Sequence, residues 1–289
     1  MLEEHGAFAG SGSGGDAIAE ETPKMCTHKN DRPVQRRIAI VGVGSGGSAL
    51  ADMLWKRDAD KIYGEFTLTL VDPDRFENSN VTRHILRSGS FGKFKAEEMA
   101  RLYGGTRFYN TKFGERSFLP SVRWNTPEWC VRWGHPKADR YFAEPPDLIA
   151  CCADSDACCQ LVNQYCVERE IPCVFAGVHG AAETAEIISY SPGTTPCYAC
   201  YEREGPEPEP SQEKYTNPDY DGTKMPHQEG LWCDVLMAAS IQFRAILSVF
   251  ERKPNPLILA SLRPPYGAEI ISQKPGCAVC SEDFSRLRV

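Results

Sequence analysis

The sequence predicts an α/β protein: a mostly parallel sheet with helices on both faces, extended by further strands. Three observations carry that expectation. A β-branched run ends in a glycine cluster and opens into helical spacing across residues 37–54. A second buried run ends in an acid at Asp72, and a third ends at Asp154 and again gives way to a helical repeat. Strands that alternate with helices are strands joined by crossovers, and crossovers make parallel pairs.

Taken in order, residues 1–33 are rich in Gly, Ser, Glu and Thr, and GSGSGG at 10–15 reads as a flexible linker, so this tail is set apart from a domain at 34–289. RIAIVGV (37–43) reads as the first strand, and Ala49, Leu50, Met53 and Leu54 place the following helix. FTLTLVD (66–72) is the second strand, and KAEEMARLYGG (95–105) is a helix stopped by glycine. The Trp- and Pro-rich stretch 106–146 is expected to hold one strand and an irregular insertion. DLIACCAD (147–154) is a continuous strand, with Ala157, Leu161, Tyr165 and Cys166 marking the next helix. IPCVFAGV and AEIISYSP give two more strands. Residues 202–229 combine charge, Pro and Gly, cannot bury a core, and are expected to form a long mobile crossover loop. WCDVLMAASIQFRAILSVF, from Trp232, is apolar nearly all round, which suits the interior or a subunit contact. PLILASLR and AEIISQ are the last strands before GCAVC.

Composition narrows the function classes. With 42% apolar and 25% charged residues the chain is ordinary for a globular protein. No apolar run is expected to reach the roughly 18 residues of a membrane span, and the basic-then-apolar order of a secretory signal is absent from the first residues, so a cytoplasmic protein with no membrane partner is expected. Thirteen cysteines, including the neighbours Cys151–Cys152 and Cys158–Cys159, suit buried thiols in a reducing compartment. A net charge of -7 argues against nucleic acid as a partner, because phosphates are neutralised by clustered Lys and Arg.

Gly42, Gly44 and Gly47 form G-x-G-x-x-G directly after a strand, where missing side chains let backbone N–H groups and a helix dipole approach a phosphate. A purely structural strand-to-helix turn is the alternative. Asp72, at the end of the second strand of this Rossmann-like pattern, is suited to accept both ribose hydroxyls, and the dinucleotide and ATP readings both stand. Asn80, Arg83 and Lys95 follow; they either form an exposed loop of mixed charge or surround a triphosphate and the charge developing at its α-phosphorus. Asp154, at a strand's carboxyl end, is a hard oxygen ligand for Mg²⁺. No hydride-transfer site is recognisable, which sets an oxidoreductase last.

The cysteines divide into groups. Cys197 and Cys200 form one C-x-x-C and Cys277 and Cys280 another, which together fit a closed tetrahedral thiolate site for structural Zn²⁺, with redox or incidental thiols as the alternative. Cys233 is either a nucleophile at a helix start or a small buried residue. The other cysteines are read as packing.

The ordered set VGVGSGG, LTLVDPDRFENSNVTRH, GKFKAE, DLIACCADS and TTPCYAC resembles the ThiF/MoeB family, bacterial relatives of the ubiquitin-activating enzymes, over roughly residues 37–289. The resemblance implies an adenylyltransferase that binds ATP and Mg²⁺, adenylates the C-terminal glycine carboxylate of a ubiquitin-like or sulfur-carrier protein held by its C-terminal tail, releases pyrophosphate, and pairs as a homodimer. It implies ribose contact by Asp72, triphosphate contacts by Asn80, Arg83 and Lys95, a metal-linked acid at Asp154, and structural zinc on the two cysteine pairs. Three departures stand out. Ser155 occupies a position where the family commonly has Asn. An N-terminal Arg-Tyr-x-Arg-Gln segment is absent, leaving Arg32, Arg36 or Arg37 as substitutes. Members that go on to a thioester, from which a conjugating enzyme or sulfur donor takes over, keep a cysteine in the crossover loop; residues 201–232 hold none, and Cys233 is the first available. A peptide substrate and a non-catalytic carrier-binding subunit are the rival readings.

Overall fold

The computed structural model describes residues 35–56, 63–104, 106–110, 112–113, 145–179, 183–201, 231–271 and 279–280. The expected tail at 1–33, most of the insertion before 145, the crossover loop at 202–229 and Cys277 lie outside the described residues. In chain order the elements are β1 (Gln35–Val41), α1 (Ser45–Trp55), β2 (Glu65–Val71), 3₁₀ turns at Asn78–Arg83 and Ser88–Ser90, α2 (Lys95–Leu102) and β3 (Arg107–Tyr109). There follow β4 (Leu148–Cys151), α3 (Asp156–Glu168), β5 (Cys173–His179), β6 (Thr184–Tyr190), the single turn α4 (Tyr198–Tyr201), α5 (Trp232–Phe250), β7 (Leu257–Ser261) and β8 (Gly267–Ile271).

All eight strands join one sheet in the order β3-β2-β1-β4-β5-β6-β7-β8. The first five pair in parallel, and β5 to β8 pair antiparallel. The "mostly parallel" expectation holds for the half that carries the nucleotide motifs, with the further strands forming an antiparallel extension. Chain order runs outward from β1 in both directions. Adjacent crossovers therefore start from β1 and β4 on opposite sides, and the gap between their carboxyl ends is the point where open α/β sheets bind ligands.

Side-chain alternation on the strands feeds two cores. Ile38 and Ile40 of β1, with Leu148 and Ala150 of β4, pack with Leu50 and Leu54 of α1, Met99 of α2 and Ile246 of α5. Ala39 and Val41, with Ile149 and Cys151, face Val162, Tyr165 and Cys166 of α3 instead. A period of two on a sheet buried on both faces produces this split, and it also explains why these strands read as continuous apolar runs.

Helix α5 corrects one expectation. At 19 residues it is long and apolar enough to cross a membrane by length and composition alone, so an apolar run of that size does exist. In the fold its Gln242 is buried and donates to the carbonyls of Val174 (3.1 Å) and Cys151 (3.4 Å), while Ala239, Ala245, Ile246 and Val249 join the core under α1. One face of the helix thus takes the interior position that its apolarity suits.

Candidate functional site

The glycine turn bridges the carboxyl ends of three neighbouring strands. The Gly42 N–H donates to Val71 O at the end of β2 (2.9 Å), and the Cys152 N–H donates to Val41 O (2.7 Å). Two glycines of the fingerprint have a steric reason within the fold. Gly42 has φ +87°, and a Cβ there would meet the backbone of Cys152 and Ala153 at 2.7–2.8 Å. A Cβ at Gly47 would lie 1.9 Å from the Gly42 carbonyl oxygen, so this glycine lets α1 pack against the turn. Gly44 differs: its φ of -74° suits any residue, and a Cβ would meet nothing within 4 Å. Among the described residues nothing therefore calls for glycine at 44, and the space beside it is open to a ligand. Helix α1 begins after Gly44 with no side-chain cap and no acid in its first turn.

The turn is held at both the N–H and the carbonyl of one residue, Val43. Asp72, only 4% exposed, accepts the Val43 N–H on Oδ2 (2.5 Å) and the Asp74 N–H on Oδ1 (2.7 Å). His84, also buried, accepts the Leu86 N–H on Nδ1 (3.0 Å), which leaves Nε2 to donate to the Val43 carbonyl (2.8 Å). Burial lowers the His84 pKa to about 4, so the ring is neutral at pH 7, as this pair of bonds requires. Burial also raises the Asp72 carboxyl to about 6, against the Lys95 ammonium and the two N–H donors, which favour its charged form. Lys95 opens α2 as a buried cation paired with Asp74 (Nζ to Oδ2, 3.1 Å). His84 received no role from sequence reasoning. A lone histidine at the end of NSNVTRH carries no spacing signal, and only the fold brings it to a loop 41 residues away.

The raised Asp72 pKa has a stability consequence. The folded form keeps the proton at pH values where the unfolded chain has lost it. The stabilising contribution is thus complete below about pH 4 and is lost as pH rises through about 6. Relative to Asp72→Asn, the wild-type protein is expected to gain about 1 kcal/mol between pH 7.5 and pH 5, read by urea unfolding at the two pH values.

The remaining predicted residues fall around this core. Asn80 and Arg83 lie on the 3₁₀ turn that leads into His84, both half-buried, with Asn80 Oδ1 accepting the Glu77 N–H (2.9 Å). Asp154 is exposed on the turn after β4, and the charges of both Asp154 and Asp72 act on the Cys158 thiol. Gly42, Gly44, Gly47, Asp72, Lys95 and Asp154 thus share one end of the sheet. Cys233 is exposed in the first turn of α5, its thiol directed at Asp234 Oδ1 (3.7 Å), and Asp234 in turn pairs with Arg263 (3.4 Å). A hollow of about 170 Å³, lined by Val81, Thr82, His84, Ile85, Arg87 and Trp232, joins the start of α5 to the residue that holds the glycine turn.

The cysteine site is separate. Cys197, Cys200 and Cys280 bring their sulfurs within 4.8 Å of one another, and the first two are buried. Asn163, buried on α3, donates to Cys197 Sγ (3.5 Å) and accepts the Tyr198 N–H (2.9 Å), orienting one sulfur from outside the set. Three converging thiols are a donor set that could hold Zn²⁺, with the predicted fourth ligand Cys277 outside the described residues.

Comparison with known proteins finds a family and a shared fold. A model of the ThiF family matches residues 21–220. Ubiquitin-like modifier-activating enzyme 5 of Drosophila ananassae is 29% identical over 180 residues, covering 59% of this chain and 41% of the relative. The Drosophila virilis protein of the same name is 28% identical, covering 59% and 40%. The chain spans about two-fifths of the length of the curated relatives it matches. Among solved structures, E. coli MccB with MccA-N7isoASN superposes with a TM-score of 0.60 at 18% identity, over 85% of this chain and 67% of that chain. E. coli MccB with ATP gives 0.59 at 19%, with the same coverage. These structures share the fold.

Proposed function

The chain belongs to the ThiF family, and from that premise we propose that it binds MgATP at the glycine turn and adenylates the C-terminal carboxylate of a ubiquitin-like or sulfur-carrier protein. The open space at Gly44 carries this reading: at the start of α1, which has no side-chain cap, it is the glycine of the fingerprint that meets no steric need among the described residues. Backbone N–H groups of the turn hold the phosphates, Asp72 holds the ribose, and Asn80, Arg83 and Lys95 gather round the triphosphate. Asp154 would hold Mg²⁺, which neutralises phosphate charge. The carrier's tail enters by the hollow beside Trp232. Its carboxylate oxygen attacks the α-phosphorus, the bond to the β-phosphate oxygen breaks, and pyrophosphate leaves. A carboxylate needs no general base, so positioning and charge neutralisation do the work. Passage to Cys233, a downstream conjugating enzyme or sulfur donor, and a homodimer belong to the same proposal.

ATP–pyrophosphate exchange tests it. Exchange is expected only when a glycine-ended carrier is present. Exchange with a short peptide but no carrier would transfer the reading to a peptide substrate. Calorimetric ATP binding without exchange would leave a carrier-binding subunit, and an absorbance change with a nicotinamide cofactor would sink the adenylation reading.

Zinc on Cys197, Cys200, Cys277 and Cys280 is proposed as a structural clamp. Purified protein is expected to hold one zinc per chain, and metal-free protein should melt about 5–10 °C lower, the equivalent of roughly 2–4 kcal/mol in a domain this size. A Cys200→Ser variant with full zinc content and an unchanged melting temperature would refute the clamp.

A further inference from the structure

His84 takes no part in the chemistry proposed above, and it is buried where the loop after β2 meets the glycine turn. It follows the 3₁₀ turn Asn78–Arg83, with its ring edge-on to the buried Phe76 at 5.2 Å between centroids. Nδ1 accepts the N–H of Leu86, two residues on, as the side chain of an Asx turn does. The proton is therefore on Nε2, which donates to the Val43 carbonyl. That carbonyl belongs to the trans peptide Val43–Gly44, in which C=O and N–H point in opposite directions. With the oxygen turned inward onto His84, the Gly44 N–H points away from it, and no described residue accepts that N–H. A Cβ at Gly44 would meet nothing within 4 Å, so the space outside this peptide is open. Glycine takes either sign of φ with similar ease, so nothing intrinsic to residue 44 keeps the peptide from flipping; the bond to His84 holds it, with φ at -74°. Asp72 does the same for the preceding peptide through the Val43 N–H.

We infer that His84 is a positioning residue for nucleotide binding: by holding the Val43 carbonyl it aims the Gly44 N–H at the phosphates of the bound nucleotide. The role rests on the nucleotide reading of the glycine turn. His84 touches no reacting atom and acts through a single peptide unit. An N–H fixed in direction before the ligand arrives costs nothing to reorient, and its bond to a phosphate oxygen is charge-assisted. The contribution of His84 therefore falls on the phosphates and leaves adenine and ribose untouched. A residue that served only to pack the loop against Phe76 would affect every part of the nucleotide alike.

Two substitutions divide the bonds of the imidazole. His84→Asn puts its amide where Nδ1 stands, so it keeps the Leu86 bond and is too short for Val43; His84→Gln reaches the Nε2 position and can still donate to the Val43 carbonyl. The full chain and both variants are checked for folding by urea unfolding and titrated calorimetrically with ATP and with adenosine. His84→Asn is expected to bind ATP about tenfold or more weakly, the scale of one charge-assisted hydrogen bond, with adenosine affinity within about twofold of the wild type and with His84→Gln restoring ATP to within about threefold. Equal losses for ATP and adenosine overturn the positioning role, as does a His84→Asn protein that binds ATP like the wild type. A selective ATP loss that His84→Gln shares also overturns it, because the Val43 bond is then not the cause. If His84→Asn does not fold, His84→Gln decides: near-wild-type ATP affinity supports the role and a tenfold loss overturns it. Wild-type protein that binds no ATP overturns the nucleotide reading and this role with it, whereas every other failure leaves that reading standing.

Discussion

Gly47→Ala is expected to destabilise the fold by about 3 kcal/mol or more, whereas Gly44→Ala should fold normally and lose ATP. The two positions are three residues apart in one motif and fail for opposite reasons. At 47 the new methyl would stand 1.9 Å from the Gly42 carbonyl oxygen and 3.3 Å from Cys152 Cβ. The first of these is backbone, fixed by the bond from the Gly42 N–H to Val71 and by its contact with β4, and no rotamer change relieves it. The helix or the turn must move, and the paired carboxyl ends of β1, β2 and β4 with it. At 44 the backbone is already in a region alanine adopts and the space is empty. Loss of a glycine N-cap should cost well under about 1 kcal/mol. The methyl instead fills the approach to the uncapped N–H groups, and ATP affinity is expected to fall tenfold or more, about 1.4 kcal/mol or above. Urea unfolding and titration calorimetry on both variants separate the outcomes. A Gly44→Ala protein that binds ATP like the wild type would remove the main support for the nucleotide site.

The second large effect is expected at Asp154. Asp154→Asn keeps the shape and removes the charge, and because the residue is exposed its stability should stay within about 0.5 kcal/mol of the wild type. Pyrophosphate exchange should fall by roughly 10²–10³, the scale of losing one group that organises charge in a transition state. The deficit should shrink as Mg²⁺ is raised, since a weakened metal site refills by mass action. A variant that exchanges at the wild-type rate at every Mg²⁺ concentration would rule out a metal role for Asp154. Lys95→Met offers a contrast, because Lys95 is buried against Asp74 and lies within charge reach of Asp72. Removing the buried cation leaves the half-buried Asp74 and the buried Asp72 without it, so stability and exchange should both fall, and of these two variants Asp154→Asn alone separates chemistry from folding.

Much of this site was legible in the sequence because its parts are local. The strand-turn-helix at 37–54 needs glycine at 42 for a left-handed backbone and at 47 for close approach, and both needs are met within a few residues of chain. Asp72 directly follows β2 as the apolar run implied, whereas the strand expected to run to Asp154 stops at Cys151 and leaves that acid on the turn beyond it. The antiparallel half was harder to anticipate. AEIISYSP and PLILASLR are apolar runs of the same kind as the parallel strands, and periodicity does not encode the direction of pairing.

By itself, then, the sequence determined what short-range sterics and spacing determine: the alternation of strands and helices, the glycine turn, the carboxylates at the strand ends, and the two C-x-x-C pairs. Tertiary structure alone decided which distant groups meet. His84 reaches the Val43 carbonyl, Lys95 pairs with Asp74 across 21 residues, Cys200 meets Cys280 across 80, and Cys151 meets the start of α3. Each of these contacts is made between groups desolvated together by the packing of two cores, and a desolvated donor or charge is stable only beside its partner. That requirement fixes the partner in space and leaves no period in the chain.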